Sequence, residues 1–171
     1  MEPKIIEDDL SGAEVQALVA YHIGEMHKHS PACSVHALPA DKLRQPGVTF
    51  WSAWVESQLA AIGAIKQLDP AHGELKSMRA APMFGGKGLG EAMLLHLIAQ
   101  ARARGYRRLS LETGRGEAFE PAIGLYRKHG FVECGSFADY SEDPFSTFMT
   151  LVLQMHQRRL VSAPSGRAPP T

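Results

Sequence analysis

The chain has 171 residues, of which 44% are hydrophobic, and this size and composition predict one domain with one sizeable core. Eighteen basic residues balance eighteen acidic ones, so no overall electric field would draw the chain to nucleic acid or to an anionic membrane. No apolar stretch is long enough to span a bilayer and the acidic start lacks the character of a signal peptide, so we expect a soluble, cytoplasmic protein.

The first predicted helix begins after Ser11, with Glu14 three residues later as its partner in a capping box, and ends near His29. Its apolar stripe is spaced by three and four residues and consists of Val15, Leu18, Val19, His22 and Met26. Pro31 stops this helix, and the loop that follows runs to Pro46 with one short helical turn.

Strand and helix patterns alternate through the rest of the chain. They predict strands over residues 49–55, 59–66, 74–80, 108–112, 131–134 and 148–153, and helices over residues 88–104 and 121–129. Gly105 and Gly130 follow the two helices, as is typical of helix C-termini. We therefore predict an α/β domain with a mixed sheet over residues 1–155. A flexible tail should follow over residues 156–171, where Ser, Pro, Gly and Ala replace the apolar pattern.

A glycine-rich turn lies between the predicted strand 74–80 and the helix that follows it. It consists of Gly85, Gly86, Lys87, Gly88, Leu89 and Gly90. Free main-chain amides and the positive end of a helix favour a bound phosphate at such a place. A dinucleotide fingerprint would need a third glycine where Glu91 stands, and no Lys-Ser or Lys-Thr pair completes a P-loop.

What remains resembles the pyrophosphate loop of the GNAT superfamily of N-acetyltransferases, which reads Gln or Arg, two residues, Gly, one residue, then Gly or Ala. Gly88 and Gly90 fit the glycine places, whereas Gly85 stands where the family has a long polar side chain. A second segment matches the family's later signature through Ala122, Leu125, Tyr126, Gly130 and Phe131. The resemblance covers about residues 4–153 and implies a largely antiparallel mixed sheet with helices on both faces.

A narrower resemblance is to a bacterial acetyltransferase subgroup with a His-Ser-Pro and Ser-Val-His-Ala-Leu loop, found here from His29 to Leu38. If the loop is functional, His29, Ser30 and His36 shape an acceptor pocket; otherwise such histidines serve packing or lie exposed. Two cysteines, Cys33 and Cys134, have neither the number nor the spacing of a disulfide framework or a zinc site. We expect free thiols and no metal.

The resemblance implies an enzyme that moves an acetyl group from acetyl-coenzyme A to a small-molecule or peptide amine by direct attack in a ternary complex. Residues 85–90 would bind the diphosphate, and the main chain of Met78 and Ala80 would bind pantetheine and the thioester oxygen. Pairing through the final strands would make a homodimer. A non-catalytic acyl-coenzyme A sensor and a nucleotide-binding interaction module stay open as alternatives.

For the general base we favour Glu74, six residues before Ala80, because strand alternation puts residues 74, 76, 78 and 80 on one face. Glu112 is the second candidate, at the end of the next strand, where it could instead form an ion pair. Tyr126 is the candidate acid for the departing thiolate, although its place in a buried helical stripe also fits simple packing.

Overall fold

The structure is a computed structural model that describes residues 2–154, so the predicted tail lies outside the described residues. Within that part of the chain the elements are β1 (Lys4–Glu7), α1 (Ala13–His29), α2 (Ala40–Leu43), β2 (Val48–Val55), β3 (Gln58–Asp69), β4 (His72–Ala80), α3 (Leu89–Ala103), β5 (Arg108–Gly114), α4 (Glu120–Lys128), β6 (Val132–Cys134) and β7 (Ser146–Val152). Every helix and strand predicted from sequence is present, with shifted ends, and β1 was not predicted. Strand β1 has only four residues and is followed by Asp8 and Asp9, so it is too short to show the alternation typical of a strand.

The strands form one sheet in the order β1-β2-β3-β4-β5-β7-β6. The pair β4–β5 is parallel, and the other neighbouring pairs are antiparallel. The largely antiparallel mixed sheet is therefore confirmed.

Helices cover both faces of this sheet. On one face α3 packs closely enough that a Cβ atom added to Gly63 would lie 2.9 Å from the Leu97 and Met93 side chains. Helix α4 joins the same layer, because His129 contacts Glu91 of α3 at 2.7 Å. On the other face, His22 of α1 contacts Arg79 of β4. We call these the α3 face and the α1 face.

Helix α1 confirms the predicted stripe, since all five of its members are buried. The predicted capping box is wrong, because the N-cap is Gly12 and no side chain caps the helix. Two aspartates stabilise the turn before the helix. Asp8 Oδ1 accepts a hydrogen bond from the Leu10 amide at 2.8 Å, and Asp9 Oδ1 accepts one from the Ser11 amide at 2.9 Å.

A bulge interrupts the alternation of β4. Ser77 has a φ of 54°, and the register against β3 shifts between the pairs Ala64–Lys76 and Ile62–Arg79. Residues 74, 76 and 79 consequently lie on the α1 face, so the prediction that 74, 76, 78 and 80 share one face is wrong.

Strands β4 and β5 stay together only at one end. Their ladder joins residues 72–74 to residues 108–110 and stops there, while both strands continue. Beyond it the two strands separate. We call the paired part the closed end of the junction and the rest its open end.

Candidate active site

A cavity of about 280 Å³, the central cavity, occupies the open end of the β4–β5 junction. Its walls include residues 75–80 of β4, Leu111, Glu112 and Thr113 of β5, His22, Glu25, Met26 and His29 of α1, Gly90 of α3, and Ala122, Leu125 and Tyr126 of α4. Because α1 lies on one face of the sheet and α3 and α4 on the other, the cavity passes through the sheet between the separated strands.

The glycine-rich turn leads from β4 into α3. Gly86 and Gly88 have φ angles of 70° and 81°, a conformation that glycine adopts without strain. The Gly85 and Lys87 amides donate to main-chain oxygens of the turn, at 3.3 Å each. Within residues 2–154, the amides of Gly86, Gly88, Leu89 and Gly90 make no hydrogen bond, and the helix's first own bond is Ala92 N to Gly88 O. These four donors therefore remain free for an anionic ligand.

Glu112 of β5 reaches into the central cavity from the α1 face. Its Oε1 atom is buried and has no hydrogen-bond partner among the described residues. Burial raises the pKa of Glu112 to about 7, while the nearby Ser146 hydroxyl and then the Lys76 charge act in the opposite direction. A carboxylate with that pKa can take and release a proton near neutral pH.

Glu74 lies on the same face, but its surroundings are closed. Its side chain is 2% exposed, accepts a hydrogen bond from the Tyr140 hydroxyl at 2.5 Å and pairs with Lys76 Nζ at 3.1 Å. Lys76 also donates to Tyr140 at 2.6 Å, and burial together with the Glu74 charge raises the pKa of Tyr140. Glu74 is absent from the walls of the central cavity and lines a second cavity of about 930 Å³, the lateral cavity, between residues 66–69 and 138–143.

Tyr126 reaches the central cavity from the α3 face. Its ring packs against Phe131 with centroids 5.7 Å apart. Burial raises the pKa of Tyr126 to about 12, so the phenol stays protonated at neutral pH. Tyr126 therefore both packs in the core and lines the cavity.

The other predicted residues divide between the two cavities. Met78, Ala80, Gly90 and His29 line the central cavity, and His36 lines both cavities. Ser30 ends α1 and lines neither, and the Lys87 ammonium lies 5.7 Å from the centre of the Phe84 ring.

Sequence reasoning missed Arg79 and Tyr140 as members of these sites. Arg79 lines the central cavity, and its Nε donates to His22 Nδ1 at 3.0 Å. Strict alternation along β4 would put Arg79 on the face opposite Glu74, and the bulge that turns it to the α1 face leaves no mark in the sequence. Tyr140 is 66 residues from Glu74, and no spacing rule joins the two.

A model of the acetyltransferase (GNAT) family matches residues 15–131. The chain belongs to this family. The uncharacterized N-acetyltransferase YsnE of Bacillus subtilis is 52% identical over 143 residues, which cover 84% of this chain and 95% of YsnE. The uncharacterized N-acetyltransferase YedL of Escherichia coli is 53% identical over 146 residues, covering 85% of this chain and 92% of YedL. The protein is therefore an acyl-coenzyme A-dependent acetyltransferase, and the predicted enzyme class is confirmed.

Solved structures agree with this assignment. One described as an acyl-coenzyme A N-acyltransferase, from Klebsiella pneumoniae, superposes with a TM-score of 0.72 at 29% identity, covering 89% of this chain and 98% of that one. A Bacillus subtilis acetyltransferase in complex with coenzyme A has a TM-score of 0.65 at 16% identity, covering 90% and 100%. The second likeness shows the fold alone.

Two features of the described residues 2–154 complete the description of this GNAT acetyltransferase. No helix there has the length and apolar character needed to cross a membrane. No group of three or more His, Cys, Asp or Glu side chains there is arranged to hold a metal ion.

Proposed function

We propose that this acetyltransferase moves an acetyl group from acetyl-coenzyme A to the amine of a small molecule or peptide, by direct attack in a ternary complex. The observation that carries the proposal is the central cavity, which joins the two faces of the sheet. A thioester entering from the α3 face and an amine entering from the α1 face would meet there without any covalent enzyme intermediate.

The α3 face supplies the binding groups for the thioester carrier. The free amides of Gly86, Gly88, Leu89 and Gly90, at the positive end of α3, would bind the diphosphate, with Lys87 beside them. The pantetheine arm would then run along the open edge of β4, where the main chain of Met78 and Ala80 lines the cavity.

The α1 face supplies the base. We assign that role to Glu112 rather than to Glu74, because Glu112 lines the central cavity with an unpartnered oxygen, whereas Tyr140 and Lys76 already occupy Glu74. Glu112 would take the first proton from the acceptor ammonium, directly or through a water. Glu74 would hold the closed end together.

Bond making and breaking then follow from these positions. The neutral nitrogen forms a bond to the acetyl carbon, the carbon–sulfur bond breaks, and the sulfur leaves as a thiolate. Tyr126 would stabilise that thiolate by a hydrogen bond, because full transfer from a phenol of pKa about 12 to a thiolate is uphill. Of the two protons that the nitrogen loses, one ends on the sulfur and one passes through Glu112 to solvent.

Binding and turnover test separate parts of the proposal. Acetyl-coenzyme A should raise the melting temperature, whereas NAD and ATP should not, because a ligand that binds only the folded state stabilises it. Stabilisation by NAD or ATP alone would favour the nucleotide-binding alternative. Thiol release is then followed with a panel of small amines and peptides, using wild type and Tyr126→Phe. Binding without release for any acceptor would favour the sensor.

A cytoplasmic location and a homodimer stay predictions from the sequence. Size-exclusion chromatography with light scattering would test the second.

A further inference from the structure

Arg79 brings a half-buried positive charge into the central cavity. Arg79 Nε donates a hydrogen bond to His22 Nδ1 at 3.0 Å, and Arg79 forms no ion pair with a carboxylate among residues 2–154. Burial and the neighbouring Arg79 lower the pKa of His22 to about 3, so this histidine is neutral and does not offset the charge. Glu25 of α1 lines the same cavity, but its carboxylate pairs with Lys28 at 2.8 Å rather than with Arg79. A partly desolvated arginine that pairs with no carboxylate of the described residues favours an anion from outside the chain.

The contacts of Arg79 hold the guanidinium without using its two terminal amino groups. His22 binds Nε, and the ring of Tyr21 lies 6.0 Å from the guanidinium carbon. Two terminal amino groups match the two oxygens of a carboxylate and bind them in parallel. The chain thus presents an oriented arginine fork at the cavity wall.

The position of Arg79 assigns this fork to the acceptor rather than to the thioester carrier. Arg79 lies on the α1 face, whereas the turn with the free amides begins α3 on the opposite face. Glu112 shares the α1 face and the same cavity, which has a volume of only about 280 Å³. An arginine and an unpartnered carboxylate therefore lie in one small space.

We propose that the acceptor is a free amino acid, whose carboxylate binds Arg79 and whose ammonium gives its proton to Glu112. This inference rests on the proposed function and narrows it to the class of substrate. The nitrogen forms the new bond to the acetyl carbon, the carbon–sulfur bond breaks, and the products are an N-acetylamino acid and the thiol. A peptide N-terminus, which lacks a carboxylate next to its amine, would bind poorly.

The first experiment compares matched acceptors on the wild-type enzyme. Thiol release at saturating acetyl-coenzyme A is measured for each L-amino acid, for its carboxamide and for the amine that lacks the carboxyl group. The best amino acid should exceed its two neutral partners in kcat/KM by about 10- to 100-fold, the effect of a charge-assisted bond. Equal rates for acid, amide and amine would overturn the inference and leave the amine-transfer proposal standing. Release with none of them would overturn the inference, and release with none of the peptides of the amine panel either would defeat the proposed function as well.

The second experiment removes the fork. Arg79→Met should bring the ratio between acid and amine to within about threefold of unity, and Arg79→Lys should keep an intermediate ratio because charge remains without the fork. Arg104→Met, an exposed arginine at the end of α3, is the matched control and should keep the wild-type ratio. Stabilisation of each variant by acetyl-coenzyme A checks that the cofactor side is intact. Unchanged discrimination in Arg79→Met would overturn the inference.

Discussion

The closed and open ends of the β4–β5 junction hold one carboxylate each: Glu74 is buried, whereas Glu112 is partly buried at the cavity wall. At the closed end, Glu74 has a hydroxyl and an ammonium as partners. At the open end, Glu112 has a buried oxygen without a partner and a pKa raised to about 7. The second arrangement adds nothing to the stability of the fold, because a buried carboxylate oxygen without a hydrogen-bond partner is unfavourable. The difference teaches that an acid held by partners and an acid open to a cavity can lie on the same face of one sheet, a short distance apart along the junction.

The largest expected effect is on turnover at the open end. Glu112→Gln should lower kcat by about 100- to 10,000-fold, since a side-chain base contributes that much. In the wild type, kcat/KM should rise with pH through about 7, where Glu112 loses its proton, and that inflection should vanish in the variant. Glu133→Gln, a half-exposed glutamate paired with Arg115, serves as control. A kcat within fivefold of wild type would remove Glu112 from the chemistry.

The next effect is on stability at the closed end. Glu74→Gln leaves the Lys76 ammonium buried without its counter-charge and should lower the free energy of unfolding by about 3 to 5 kcal/mol. Urea titration with fitted midpoint and slope measures the loss. The double variant Glu74→Gln with Lys76→Met removes both charges and should recover part of it. A loss below about 1 kcal/mol would mean that the ion pair is not a structural element.

At the open end, Glu112→Gln should raise the free energy of unfolding above neutral pH, whereas Glu74→Gln lowers it. The folded pKa of Glu112 is raised from 4.5 to about 7, so the folded state binds more protons than the unfolded state between these values. Wild-type stability from this group is therefore lost as pH rises through that window. Glu112→Gln avoids the loss and should be more stable than wild type at pH 8, by on the order of 1 to 3 kcal/mol, and equal to it near pH 4. Thermal melts at both pH values check this, and a less stable variant at pH 8 would contradict it.

Local sequence patterns predicted most of the fold, but they did not predict which of Glu74 and Glu112 has partners. The α1 stripe, the helix after the glycine-rich turn and Gly105 beyond its end all depend on neighbours in sequence, and each is in place. The choice between Glu74 and Glu112 depends instead on where one ladder stops and on Tyr140, far along the chain. Both features depend on tertiary contacts between residues far apart in the chain, which local sequence patterns do not show. The bulge at Ser77 likewise has no local signature, because serine rarely adopts a positive φ.

The smallest expected effect comes from adding a side chain to the glycine-rich turn beside the open end. Gly85 stands where the family's motif has Arg or Gln, and its φ of −56° suits any residue. A Cβ atom there would contact only the Pro82 oxygen, at 3.4 Å. Gly85→Arg should therefore fold normally and tighten binding of coenzyme A by about 1 to 2 kcal/mol through a charge-assisted bond to phosphate. Calorimetric titration of coenzyme A measures the gain, and Gly85→Ala is the control for backbone effects. Because the gain depends on charge at the turn, it should shrink as salt is raised, and an Arg variant that binds no better than the Ala variant would place the diphosphate away from residue 85.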